Sequence, residues 1–267
     1  MILLNLIHYE KEEVNKNDFP FVIPLIKNLE KIEFNAPVTI IVGENGTGKS
    51  TLLESIAAAV DSIVVGAESI KTDKTLTHAR LLAKHFKLSW SQKTKRGFFM
   101  RSEDFFNFSR KMNEMRQDML SELQRVNNEY KNRSKLTQMQ ARAPFESSIH
   151  GIESRYGENL DACSHGESFL NLFQSRFVPK GLYILDEPEA PLSPLRQYSF
   201  MMLLKNMVEE DSQFIIATHS PILMAYPGAE ILSCDGEKLH KVKYNELEHV
   251  NFTREFLNNP DNYLRRI

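Results

Sequence analysis

Residues 37–60, PVTIIVGENGTGKSTLLESIAAAV, constrain the fold more than any other stretch of the chain. Positions 38–42 form a short β-branched run, the mark of a strand buried on both faces in a parallel sheet. Gly43 to Ser50 then fit G-x-x-x-x-G-K-[ST], and 51–60 read as a helix. Strand, glycine loop and helix stand in the order that a phosphate-binding loop needs. Gly43, Gly46 and Gly48 let the backbone turn and bring its N–H groups to phosphate oxygens. The start of the helix adds its positive end. Lys49 can reach the β- and γ-phosphates, and the Ser50 hydroxyl can coordinate Mg2+. Gly43, Glu44, Asn45, Gly46, Thr47, Gly48, Lys49, Ser50 and Thr51 are therefore the candidate nucleotide-binding residues.

The loop alone does not separate ATPase, GTPase and kinase. The NKND at 15–18 has the letters of a guanine-reading N-K-x-D element. It precedes the loop, where that element should follow it, and is read as chance. Two later strands supply the chemistry instead. In 181–194, GLYILDEPEAPLSP, an apolar strand at 182–185 ends in Asp186 and Glu187. Ligands of open α/β sheets sit at that C-terminal edge. Asp186 would hold Mg2+ together with Ser50, directly or through water, and Glu187 would polarise the attacking water. In 212–223, SQFIIATHSPIL, a third strand at 214–217 delivers His219 to the same edge, towards the γ-phosphate. Lys49, Glu187 and His219 are the candidate catalytic residues.

A length of 267 residues with 42% hydrophobic content suits one large domain, or a domain with an insertion. The formal net charge of −2 gives no global field for nucleic acid and leaves only a local patch for it. Two cysteines, Cys163 and Cys234, in unrelated contexts argue against a structural disulfide and point to a reducing cytoplasm. The opening MILLNLIHYEKEE lacks a basic leader, and no run approaches the roughly 20 apolar residues of a membrane span.

The motifs follow one another as P-loop, SHGES at 164–168, Asp186-Glu187 and His219. Ser164 precedes Asp186 by 22 residues, and His219 follows it by 33. This order resembles the ATPases of the ABC superfamily, with SHGES matching their signature S-x-G-[EQ]. The resemblance implies that Ser164 caps a helix beginning near Glu167, that Gly166 leaves room for a phosphate, and that the exposed N–H groups grip a γ-phosphate. It also implies action in trans. Ser164, Gly166 and Glu167 of one copy would close on ATP held by another, so that ATP glues a homodimer and hydrolysis releases it.

FPFVIPLIKNLEKIEFNAPVTIIVGENGTGKSTLLESIA, GFFMRSEDFF, SHGESFL, YILDEPEAPLSP and FIIATHSPIL are similar to small stand-alone bacterial ATPases. These are described as AAA-family or ABC-like and are related to SMC-type and RecF-type heads. The similarity runs from about Phe19 to the C-terminus and is weak around 61–95 and 110–155. Two departures stand out. Ala190-Pro191-Leu192-Ser193 replaces the commoner Ala-Leu-Ser of the D-loop, which passes the dimer axis, and Pro191 would stiffen it. No Gln follows the strand in RGFFMRSEDFF, where the superfamily senses Mg2+. Arg101, Glu103 and Gln92 compete for that place, and Arg101 with Glu103 fits a surface salt bridge equally well.

Residues 103–160 read as mostly helical. Met112, Met115, Met119, Leu123, Val126 and Tyr130 recur at spacings of 3 and 4 on one helix face. The segment is far too short for an SMC coiled-coil arm and reads as the helical subdomain that carries the signature. Its stretch 110–142 holds eight basic and four acidic side chains, a solvated face or a DNA-facing strip. Segments 2–9 and 21–34 read as antiparallel strands of a small β-subdomain, with Phe19 or Phe21 either in the core or stacked on adenine. Residues 229–244 read as a hairpin turning at Asp235-Gly236, and 245–267 as closing helices.

The expected fold is α/β: a P-loop NTPase of ABC-ATPase type, with a mostly parallel sheet, an N-terminal antiparallel β-subdomain and a helical insertion. One domain spans 1–267, with 1–102 and 175–267 as core and 103–174 as the helical part. The expected activity is ATP hydrolysis with Mg2+, coupled to an effector protein or DNA in genome maintenance or phage defence. Two other roles stay open. One is the ATP-binding subunit of a membrane transporter, which the altered signature, the missing Gln and the E-P-E…L-S-P stretch disfavour. The other is a non-enzymatic ATP-gated switch that recruits an effector on dimerising.

Overall fold

A computed structural model describes residues 1–11, 18–65, 76–156 and 165–265. Its strands are β1 (Leu4–Tyr9), β2 (Lys31–Glu33), β3 (Val38–Val42), β4 (Phe86–Trp90), β5 (Phe99–Arg101), β6 (Leu182–Asp186), β7 (Gln213–Ala217), β8 (Glu230–Ser233) and β9 (His240–Val242). The main sheet is ordered β5-β6-β7-β3-β8-β9. Its first five strands run parallel, and β9 closes the edge antiparallel to β8. All residues of β3, β6 and β7 are buried, which is why these strands read as unbroken apolar runs.

The side chains of the central strands divide between two cores. Ile41, Ile184 and Ile215 face helix α2 (Lys49–Ala59) and the smaller sheet, joining Leu52, Leu53 and Ile56. Ile40, Val42, Leu185 and Ile216 point the other way. They meet Phe169 and Phe173 of α6 (His165–Arg176) and Phe200 of α7 (Pro194–Glu209). Period-two alternation on a sheet covered on both faces produces this division.

The smaller sheet corrects the strand expected at 21–34. Only Lys31–Glu33 pairs there, because Pro24 lacks an N–H and opens a helical turn, α1 (Pro24–Lys27). The third strand is β4, so the order is β2-β1-β4, antiparallel throughout. Gln213, fully buried at the start of β7, ties this sheet to the main one. Its Oε1 accepts from Leu3 and Leu4 N–H at 2.9 and 2.8 Å, and its Nε2 donates to Leu4 C=O at 3.0 Å.

Helix α3 (Thr77–Ala83) packs on α2. Two long helices, α4 (Ser102–Glu129) and α5 (Lys135–Tyr156), form a hairpin. Arg116 bridges it by donating to Glu153 at 2.6 and 2.9 Å. Of the expected apolar face, Val126 is buried while Met115 is exposed, so that face is only partly covered. The chain ends through α8 (Pro221–Met224), a 3-10 turn at Tyr244–Glu246, α9 (Glu248–Asn258) and α10 (Pro260–Leu264). Among the described residues no helix is long and apolar enough to cross a membrane.

Candidate active site

The P-loop leaves the buried end of β3 and enters α2 through three glycines of positive φ, at +152° for Gly43, +84° for Gly46 and +98° for Gly48. Gly48 has a second reason to lack a side chain. A Cβ there would stand 2.8 Å from Ile23 Cγ2. The loop therefore needs glycine both for its turn and for its close cover by the segment around α1.

Lys49 is 5% exposed, and its ammonium is drawn across the loop. It donates to Gly43 C=O at 2.7 Å and to Glu44 C=O at 2.8 Å. Burial lowers its pKa, and the carboxylates of Glu187 and Asp186 oppose that shift. Thr47 Oγ1 donates to Glu44 C=O at 2.9 Å and stiffens the same turn. Asn45, Gly46 and Ser50 are exposed, as an incoming phosphate chain requires.

Asp186 is the last residue of β6, opposite Ala217 of β7 and Arg101 of β5 in the ladder. Its carboxyl is 6% exposed, and the Ser50 hydroxyl beside it favours the ionised form. Burial pushes its pKa up to about 7, with Glu187 and Glu54 adding to the rise. Its Oδ1 is buried with no hydrogen-bond partner. An orphaned, desolvated carboxylate oxygen beside a serine hydroxyl is a donor set that suits Mg2+, a hard cation taking oxygen ligands.

Glu187 follows at φ 51°, a left-handed conformation that a non-glycine residue holds only under outside constraint. The bond from Glu187 N–H to Ala217 C=O, 2.9 Å long, supplies that constraint. The side chain is 42% exposed and lies 3.7 Å from His219 Nε2. Burial first, and then the charge of Lys49, lowers the His219 pKa and favours neutral imidazole. The His219 backbone is fixed by Glu189, whose Oε1 accepts its N–H at 2.6 Å. Glu189 enters the sequence reading only as a letter of the E-P-E…L-S-P stretch, with no role of its own, since its partner lies 30 residues away.

The structure thus gathers Lys49, Ser50, Asp186, Glu187 and His219 at one edge of the sheet. Ser164 lies outside the described residues, as do 15–17 of the NKND stretch and Cys163. Gly166 and Glu167 fall in the first turn of α6, which begins at His165, two residues before the expected start. Cys234 is free and buried, and burial pushes its thiol up to about 12.

Three expectations are corrected or refined. Arg101 is not at the surface. Its guanidinium, 12% exposed, donates to Asp104 at 2.9 and 3.0 Å and to Glu54 of α2 at 3.2 Å, with Glu103 a further partner at 3.4 Å. The Gln-like place after β5 is therefore filled by a buried ionic cluster, joined by His78, whose Nε2 lies 2.8 Å from Glu54. Phe19 is 54% exposed and tilts on His78 at 5.0 Å, while Phe21 is half-buried with its edge on His85 at 5.6 Å. The hairpin of β8 and β9 forms with Asp235-Gly236 inside a longer connection. Residues 234–239 separate β8 from β9, and the Asp235 carboxylate is engaged by the P-loop.

A P-loop strand inside a mostly parallel sheet, a helical insertion after β5, an antiparallel sheet at the N-terminus and an acidic pair ending β6 define an α/β fold of the P-loop NTPase kind. Residues 21–140 match the family model AAA_23, described as an AAA domain. No curated protein matches the chain. Among solved structures, an Smc head domain with an extended coiled coil, bound to the C-terminal domain of ScpA, from Pyrococcus furiosus aligns over 96% of this chain and 100% of its own. It does so at 12% identity and a TM-score of 0.48. The ATP-binding cassette of an ABC transporter in its ADP conformation aligns over 90% of each chain at 16% identity and 0.45. The SMC head domain from Thermotoga maritima aligns over 91% of this chain and 99% of its own at 15% identity and 0.40.

Proposed function

We propose that this protein is a cytoplasmic ATP hydrolase that closes as a homodimer around ATP and couples turnover to an effector protein or DNA. The observation that carries the reading is the junction of Ser50 with Asp186: a P-loop serine whose hydroxyl acts on a buried carboxyl with an unpartnered oxygen. Ser50 and Asp186 would hold Mg2+, which when bound offsets charge on the β- and γ-phosphates. Lys49 and the amides of residues 44–51 bind the phosphate chain. Glu187 takes a proton from water as the water oxygen bonds to the γ-phosphorus, and the bond from that phosphorus to the bridging oxygen breaks to release ADP. Neutral His219 orients the water or a γ-oxygen through Nε2. Ser164, Gly166 and Glu167 complete the site from the second copy.

Glu187→Gln keeps the shape and removes the base. It should bind ATP-Mg normally, lose turnover by about 10²- to 10⁴-fold, and accumulate as a dimer by light scattering. A monomer at saturating ATP-Mg would contradict the sandwich. Turnover measured with and without DNA, and the proteins that co-purify with the locked mutant, separate a DNA-linked ATPase from a transporter subunit or an ATP-gated switch.

A further inference from the structure

We infer that Asp235 is a positioning residue that aims Lys49 by clamping one peptide group of the P-loop. The inference rests on the nucleotide reading above. The peptide between Gly43 and Glu44 is held from both ends. Its C=O accepts from Lys49 Nζ at 2.7 Å, and its N–H donates to Asp235 Oδ1 at 2.8 Å. The two residues that make this bond are 191 apart in sequence. A peptide group is rigid, so fixing its N–H fixes the direction of its carbonyl, and with it the ammonium drawn to that carbonyl.

The clamp is itself supported. Cys234 N–H donates to Val42 C=O at 2.8 Å, carrying the ladder between β3 and β8 up to the mouth of the loop. The buried Ser233 hydroxyl donates to Asp235 Oδ2 at 3.2 Å and accepts from Asp235 N–H at 3.0 Å. The fit is close, since a Cβ on Gly43 would lie 3.0 Å from Cys234 Cβ and 3.2 Å from Asp235 Oδ1. Asp235 opens onto a 520 Å³ cleft with Gly43, Glu44, Thr47, His219 and Phe252. Its charge is therefore screened by water, and its contribution is the geometry of the accepted hydrogen bond.

Asp235→Ala and Asp235→Asn separate the two effects, because asparagine keeps the acceptor oxygen and drops the charge. Three readouts apply: binding of ATP-Mg, KM against kcat, and amide hydrogen exchange at Glu44 without nucleotide. Asp235→Ala should weaken ATP-Mg binding up to about tenfold, the upper size of one ordinary hydrogen bond. It should do so through KM with kcat little changed, and it should speed Glu44 exchange. Asp235→Asn should restore all three. Wild-type binding by Asp235→Ala, or an Asp235→Asn as weak as the alanine variant, overturns the clamp. A wild-type protein that binds no ATP overturns the nucleotide reading instead, and Glu44 exchange in the two variants then decides the clamp alone.

Discussion

Asp186 shows how one side chain can be legible as a letter and hidden as a chemical state. Its place after an apolar strand marked it as a metal holder, but its burial and its contact with Ser50 appear only in three dimensions. The same limit hid Gln213, Glu189 and Asp235, whose partners lie 209, 30 and 191 residues away. Burial lifts the Asp186 carboxyl from 3.8 to about 7, so between those values the native protein holds a proton that the unfolded chain has released. Stability then falls as pH rises through that window, and above it the whole cost of a buried, ionised carboxylate is carried. Asp186→Asn should remove that component. In metal-free buffer the variant should be more stable than wild type at pH 8, by on the order of 1–3 kcal/mol, and the difference should shrink towards pH 4. Thermal melts of both proteins across this range measure it. A difference independent of pH would mean that Asp186 ionises normally.

Where secondary-structure elements meet, the sequence was legible in proportion to how uniformly each element is buried. β3, β6 and β7 are buried along their whole length and stand within a residue of where the apolar runs placed them. β4 buries only Phe86, so its alternation is faint, and the third strand of the β-subdomain is not legible although the pairing of β1 with part of 21–34 is. At the junction of β5, α4 and α2 the sequence leaves open a Mg2+-sensing place or a surface pair, because Arg101 and Glu103 are near neighbours while Glu54 is 47 residues away. Side chains of Arg101, Glu54 and Asp104 are 12%, 10% and 2% exposed, which makes this a desolvated ionic cluster in which each charge depends on the others. Removing the cation leaves two buried carboxylates. Arg101→Met should therefore cost about 3–5 kcal/mol in urea unfolding. Glu103→Ala, at a position 68% exposed, should cost under about 0.5 kcal/mol. Equal effects of the two variants would return Arg101 and Glu103 to a surface salt bridge.

A single chain presents only half of what the proposed dimer needs. The P-loop, Asp186, Glu187 and His219 converge within one copy, whereas Gly166 and Glu167 sit on the first turn of a different helix, α6. The motif order made the two halves readable; the contact between them belongs to the pair and cannot be written in one sequence. Subunit mixing tests it directly. Lys49→Ala disables the loop that holds phosphate, and Gly166→Asp places a bulky anion where a γ-phosphate would be gripped. Each variant alone should be inactive. In a mixed dimer, the intact loop of the Gly166→Asp chain faces the intact signature of the Lys49→Ala chain, so one of its two sites is whole. With random exchange, half of the dimers are mixed, and an equimolar blend should recover about a quarter of wild-type turnover, as a two-fold dimer with independent sites requires. If the sites fire only together, the blend stays silent while Glu187→Gln still dimerises. If residues 164–168 act within their own chain, the blend also stays silent, but the Gly166→Asp chain then fails to bind ATP as a monomer, and a nucleotide titration on that variant alone tells the two cases apart.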